Sequence, residues 1–408
     1  MGVLVHGAAF WPTAPRALPP TMTSSNSVPD TFTMPVSYKP KPLQFPKIGI
    51  GTLAWGNPRR GWGITFNSTD LDEAYDILTD SGVTLFDTSE VYGYQSARLY
   101  EQSEMLLSRL ASQRVDATPQ VMTKFMPVPW ANLLAGGGLR FGRQAVVEAC
   151  RGSIARLGVG SVDVYSLHAP LPYVGGRRAL YEGLAEAHRL GLCKGVGVCN
   201  FNAQQVREAS TALRRLGVPL VSNSIRYSPM NIERELDGTI ETCLELGVTP
   251  IAHSPLAGGL ATGYYAHALA RRHGRRGRIG NFDSQQLLML SHIFEAMSDA
   301  CDEGGGLGGG VSGDHPAGGL GGGLGGYLSG GVGGGGGGAS SRSEAQVALH
   351  FAMAKGCVPV PGVNTAFQAR EVAAALDWEP DMGAMESLSI AAANLHARRN
   401  ELPWLRSL

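Results

Sequence analysis

Four side chains that together could deliver a proton to a carbonyl oxygen stand in three short motifs. Asp87 and Tyr92 lie in FDTSEVYG, Lys124 in VMTKF and His168 in DVYSLHAP. A buried lysine beside a phenol favours the phenolate and is expected to bring its pKa down toward neutrality, making Tyr92 a general acid. An aspartate paired with that lysine would hold it charged and in place. An imidazole can orient the carbonyl and stabilise the negative charge growing on its oxygen. Each residue also has a plainer reading: Asp87 a turn residue or helix cap, Tyr92 a loop aromatic, Lys124 a snorkelling rim cation, His168 a satisfied core histidine. The chemical reading rests on where all four fall.

They fall at the ends of consecutive predicted strands. Short apolar or β-branched runs alternate with amphipathic stretches from residue 48 onward. The predicted strands are 48–53, 83–86, 120–123, 162–167, 195–198, 220–222, 248–252 and 358–360. Helical patterns fill the intervals at 70–79, 100–109, 143–156, 178–190, 203–216, 233–246, 286–301 and 344–355. Glycines such as Gly158 and Gly356 stand where a helix must end in a left-handed residue. Eight β-then-α units in series predict an α/β fold, a single-domain (β/α)8 TIM barrel, whose chemistry sits at the C-terminal ends of the strands.

FDTSEVYG, TKF, DVYSLH, GVGVCNFN, IAHSPLAGG and VPVPGVN, in this order, resemble an aldo-keto reductase over residues 45–395, most like the plant and algal chloroplast-type members. The resemblance implies a (β/α)8 barrel that binds extended NADPH (with NADH the alternative) and no metal, and that reduces aldehydes or ketones to alcohols. Hydride then comes from the nicotinamide and the proton from Tyr92. It places the family's catalytic tetrad on Asp87, Tyr92, Lys124 and His168 without a substitution.

The cofactor side departs from the family pattern. Where the family has a Ser-Asn pair to grip the nicotinamide carboxamide, the chain reads Cys199-Asn200. The family's Gln falls on Ser224, with Asn223 beside it, and its stacking Tyr falls on His253. A thiol donates more weakly than a hydroxyl, and Ser is shorter than Gln. Ser254, Leu256 and Gly258 keep the loop that cradles the pyrophosphate, and Gly362, Asn364, Gln368, Arg370 and Glu371 occupy the adenosine end, where Arg370 is the basic residue. Arg276 and Arg278 offer a second phosphate fork or are solvated loop charges. These departures motivate an alternative, a nucleotide-binding regulatory barrel with little or no turnover. Trp55, Tyr94, Trp130 and Tyr173 are read either as aromatic walls of the substrate pocket or as side chains packed on the barrel rim. Gly49-Ile-Gly51-Thr-Leu-Ala54 matches a dinucleotide fingerprint, but Pro46 and Trp55-Gly-Asn-Pro58 leave no helix to follow it, so it is read as the first strand.

Composition bounds the partners. Lys+Arg and Asp+Glu are 34 each, so there is no electrostatic footprint for nucleic acid or an anionic membrane. No run is long and apolar enough to span a bilayer. The resemblance implies a small-molecule carbonyl substrate as the partner, and a monomer or weak oligomer is expected. The six cysteines form no CxxC pair, which argues against zinc or a disulfide framework and suits a reducing compartment. Residues 1–42, with Asp30 as their one acid and many Pro, Ser and Thr, read as a disordered tail with the composition of a plastid transit segment. The expected location is therefore the chloroplast, or the cytoplasm if the tail carries no address. Residues 43–395 form the barrel and 396–408 a C-terminal tail. Within the barrel, residues 304–340 are a flexible glycine-rich insert, since 22 of the 56 glycines fall between Gly304 and Gly338 and leave almost nothing to bury.

Overall fold

Strands buried on both faces need continuous rather than alternating apolar character, and β4 (Val162–Leu167) is buried at every residue. The computed structural model describes residues 43–94, 101–114, 116–128, 139–271, 277–279, 282–302 and 342–398, with 401 and 404. The remaining barrel strands are β1 (Gly49–Gly51), β2 (Leu85–Asp87), β3 (Gln120–Phe125), β5 (Cys193–Cys199), β6 (Leu220–Arg226) and β7 (Thr249–His253). A two-residue hairpin, β8 (Arg278–Ile279) with β9 (Phe282–Asp283), precedes the eighth barrel strand, β10 (Val358–Val360). The eight pair in parallel in the order β1-β2-β3-β4-β5-β6-β7-β10. Gly51 closes the ring: its N–H donates to Pro361 O at 2.8 Å, and it bridges to Gly362. The sequence-predicted (β/α)8 barrel is the fold, and the residues from Leu43 onward cluster as one unit.

Side chains fill the barrel interior in layers. A Cβ at Gly197 in β5 would collide with Ser166 Oγ and Ser222 Oγ, so glycine there makes room for two inward serines. Around the strands run α1 (Ser68–Asp80), α2 (Ser103–Gln113), α3 (Gly142–Leu157), α4 (Gly176–Arg189) and α5 (Ala203–Arg215). α5 buries Val206, Ala209 and Leu213, at three- and four-residue spacing, against the sheet. The expected helix at 233–246 divides into α6 (Glu233–Leu236) and α7 (Thr239–Glu245), because Gly238 turns left-handed at φ 73° and Asp237 caps Thr239 N. The pattern at 286–301 likewise divides into α9 (Ser284–Leu288) and α10 (Ser291–Asp302), after α8 (Tyr264–Arg271), which the sequence reading missed.

α11 (Glu344–Ala354) precedes β10, and α12 (Ala366–Ala374) and α13 (Met382–Ala397) follow it. α13 packs Leu388, Ala392 and Leu395 into the same core cluster as Ile293 and Met297 of α10. The helix runs to Ala397. The tail through residue 42, the glycine-rich insert, Trp130 and Arg276 lie outside the described residues. Five of the six free cysteines are buried and Cys301 is half-buried. Among the described residues no helix is long and apolar enough to cross a membrane, and no group of His, Cys, Asp or Glu could hold a metal ion.

Candidate active site

Parallel register brings the sequence-predicted tetrad together. Asp87 ends β2 opposite Met122 of β3, which sets Lys124 one pleat further along the same face. Lys124 Nζ donates to Asp87 Oδ1 at 2.6 Å and to Thr88 O at 2.9 Å, with both side chains almost wholly buried. The same ammonium lies 5.2 Å from the centre of the Tyr92 ring. Tyr92 OH is 3.5 Å from His168 Nε2, and the two rings meet edge to face. His168 follows β4, with its backbone N–H held by Phe125 O. Its Nδ1 is 3.0 Å from Ser89 Oγ, a contact the sequence reading missed although Ser89 stands within DTSEVYG.

The phenol departs from its expected direction. Burial pushes Tyr92 up to about 12, and Lys124 opposes that without reversing it. Asp87 lies against the ammonium and cancels much of its field, while a phenolate here would forfeit its hydration. Tyr92 is therefore neutral and retains a proton to give. Burial, then Lys124, then His253 hold His168 down at about 3, so the imidazole is neutral as well. Burial disfavours the charged lysine, but Asp87, Tyr92 and Cys199 together outweigh it and hold the Lys124 pKa above its ordinary value. Burial raises Asp87 against the pull of Lys124, and the proton stays on the amine. Burial raises Cys199 to about 12, which leaves a thiol rather than a nucleophilic thiolate. A neutral phenol and a neutral imidazole above a buried ion pair can protonate and polarise an oxygen atom.

These groups line a cavity of about 430 Å³, within the size range of small-molecule sites. Cys199, Asn200, His253, Ser254, Leu256, Gly258, Gly362, Asn364 and Gln368, all named from the sequence, line it. Asn223 does not. Strand alternation turns it to the helix side of β6, where its Nδ2 donates to Phe201 O at 3.0 Å. Ser224 falls on the inward face with Ser222 but is too short to reach the cavity, and its buried Oγ has no partner. Arg370 is exposed, and Glu371 accepts from Ser343 Oγ. The helical period of α12 aims Gln368 at the site and these two elsewhere. Arg278 sits exposed on the β8–β9 hairpin, away from the cavity.

His253 Nε2 lies 2.9 Å from Asn200 Oδ1, and Asn200 Nδ2 donates to Cys199 Sγ at 3.3 Å. Burial, then Lys124 and Arg226, hold His253 at about 3. Asn200, Ser254 and Ala257 all take left-handed φ, at 62°, 55° and 48°, so local backbone strain is concentrated on this wall. Of the four candidate aromatic walls, the three among the described residues follow the rim-packing reading. Trp55 is buried, with Nε1 donating to Val363 O, and Tyr173 OH donates to Gly142 O. Tyr94 is exposed, and none of the three lines the cavity. Leu53, Ala54, Pro255, Leu256 and Val360 supply the apolar lining instead. The sequence reading also missed Arg60 and Arg226. Arg226 was legible in principle, being two residues beyond Ser224 on the inward face of β6.

An eight-stranded parallel barrel with this site defines a class, and sequence comparison agrees: residues 47–302 match the model of the aldo/keto reductase family. The chain belongs to that family and is an oxidoreductase. It is 28% identical to the chloroplastic pyridoxal reductase of Arabidopsis thaliana over 350 residues, covering 83% of this chain and 80% of the relative. It is 26% identical to 6-dehydroglucose reductase of Novosphingobium aromaticivorans over 237 residues, 55% of this chain and 72% of the relative. Among solved structures, an aldo-keto reductase from Bacillus halodurans in its holo form superposes with TM-score 0.55 at 16% identity, covering 86% of this chain and 91% of that one. A thermostable aldo-keto reductase in complex with the inhibitor epalrestat gives TM-score 0.54 at 21% identity, over 85% and 95% of the two chains.

Proposed function

We propose that the protein is an NADPH-dependent reductase of aldehydes and ketones, with NADH as a second donor and Tyr92 as proton donor. The observation that carries this reading is the neutral Tyr92 phenol 3.5 Å from His168 Nε2 and over the buried Lys124–Asp87 pair. A nicotinamide cofactor fits the residues present. Asn364 Oδ1 is a buried acceptor without a partner on the cavity wall. Gly258 and Gly259 present their backbone there at φ 64° and 93°, where side chains would be strained. Asn200, Ser254, Leu256 and Gln368 would hold the cofactor alongside them. When bound, the nicotinamide supplies the hydride.

The chain's own groups do the rest. His168 donates from Nε2 to the carbonyl oxygen and orients it, provided that Ser89 donates to Nδ1. As charge grows on that oxygen, Tyr92 passes it the phenolic proton. Lys124 then stabilises the phenolate left behind, and Asp87 keeps the ammonium in place. The 28% identity to a chloroplastic enzyme supports the chloroplast as the location. The test is transfer of deuterium from the labelled reduced cofactor to an aromatic aldehyde. A deuterated alcohol supports the reading, and cofactor bound without transfer opposes it.

A further inference from the structure

Among the described residues, Asp87 is the one acidic side chain on the cavity wall, and Lys124 already neutralises it, while both histidines there are uncharged. Two guanidinium groups also line the cavity, of which Arg226 already has a partner. Arg226 stands opposite His253 in the β6–β7 register, beside the wall assigned above to the cofactor. Arg60 comes from the other direction, on the β1–α1 loop together with Leu53 and Ala54. It is half-buried, its backbone N–H donates to Asn57 O, and among the described residues its guanidinium has no hydrogen-bond or ion-pair partner.

The loop that carries Arg60 is fixed. Trp55 Nε1 donates to Val363 O at 2.8 Å, and Trp62 and Phe66 pack edge to face, all three rings being buried. Asn57 accepts from Arg59 N at 3.1 Å and starts the short 3-10 turn Pro58–Arg60. A half-buried cation on a rigid loop gives up hydration, and an anion that pairs with it restores the balance. The planar guanidinium suits a carboxylate or a phosphate.

We propose that Arg60 anchors an anionic group of the carbonyl substrate, so that the site selects aldehydes or ketones bearing a carboxylate or phosphate. This rests on the reductase reading. Position favours the substrate over the cofactor as the source of the anion: Arg60 is on the loop that follows β1, the strand paired with β2 and its Asp87, whereas the glycines proposed for the pyrophosphate follow β7.

The test compares 4-carboxybenzaldehyde with its neutral methyl ester, using the full chain, Arg60→Ala and Arg60→Lys. Wild type is expected to prefer the acid. Arg60→Ala should lose about 10- to 100-fold in kcat/KM for the acid, the scale of one charge-assisted hydrogen bond, with the ester changed by less than about twofold. Arg60→Lys should recover part of the loss. An unchanged acid-to-ester ratio in Arg60→Ala overturns the proposal. So does a parallel loss for both compounds with weaker NADPH binding, which would give Arg60 to the cofactor. Should wild type reduce neither aldehyde, the reductase reading fails. Calorimetric titration of both compounds into the protein with NADPH then decides the anion claim. Acid binding that disappears in Arg60→Ala upholds it, and equal binding of acid and ester overturns it.

Discussion

His253 Nε2 and Asn200 Oδ1 lie 2.9 Å apart across the ends of β7 and β5. His253 is uncharged and holds an asparagine whose backbone is left-handed at φ 62°. The imidazole therefore fixes the direction in which Asn200 presents its amide to the cavity. His253→Phe keeps a ring but removes the hydrogen bond. It is expected to weaken NADPH binding by roughly tenfold, the scale of one buried hydrogen bond, with a smaller effect on kcat. Fluorescence titration of NADPH checks this, and unchanged affinity would show that Asn200 needs no such support.

Ser89 decides the tautomer of His168. Its hydroxyl carries one proton, and the oxygen lies 3.0 Å from His168 Nδ1 and 3.3 Å from Lys124 O. Donation to Nδ1 leaves the proton on Nε2, facing Tyr92 and the substrate oxygen. Ser89→Ala should lower kcat by about 5- to 20-fold while leaving NADPH affinity in place, since one hydrogen bond to the developing charge is lost in part. Ser89→Thr should restore much of the rate. Equal kcat for wild type and Ser89→Ala would show that the tautomer is set without Ser89.

Both half-buried cavity histidines tie stability to pH. Their folded pKa values are lowered from 6.5 to about 3. Between those values the unfolded chain binds more protons than the folded one, so their stabilising effect, complete above pH 6.5, is lost as pH falls through this window. The slope is at most about 1.4 kcal/mol per pH unit for each histidine. Asp87 and Glu90 are raised above their ordinary values by burial and act with the opposite sign. The informative comparison is therefore wild type against the His168→Gln/His253→Gln double variant, in urea unfolding between about pH 7 and pH 5. Wild type should lose more stability over that interval, and parallel losses would place these imidazoles in wetter surroundings.

Much of this was legible because the signals were local. β4 (Val162–Leu167) and β10 (Val358–Val360) match their predicted runs residue for residue, since a doubly buried strand is mostly apolar or β-branched, even though β4 also buries Asp163 and Ser166. The tetrad emerged from asking which reactive side chains follow a strand. Asn223 was misplaced because neighbours on a strand look alike in one dimension yet face opposite ways. The break between α6 and α7 hung on the left-handed conformation of Gly238, one glycine among many. Arg60 gave no signal at all: its place on the cavity wall depends on Trp55 reaching Val363, more than 300 positions away in the chain. The choice between pocket wall and rim packing stayed open for the same reason, since Trp55 and Tyr173 spend their rings and polar atoms on packing.

The central claim is that Tyr92 gives the proton. The direct measurement is the rate of reduced-nicotinamide oxidation with a reactive aromatic aldehyde, in wild type and in Tyr92→Phe, at NADPH concentrations shown by fluorescence to saturate both. Phenylalanine keeps the ring over Lys124 and removes only the hydroxyl. Wild type is expected to turn over, and Tyr92→Phe to bind NADPH normally with kcat reduced by about 10²-fold or more, the scale of a general acid. Turnover in Tyr92→Phe within about threefold of wild type would contradict the account, because a general acid should contribute far more than that.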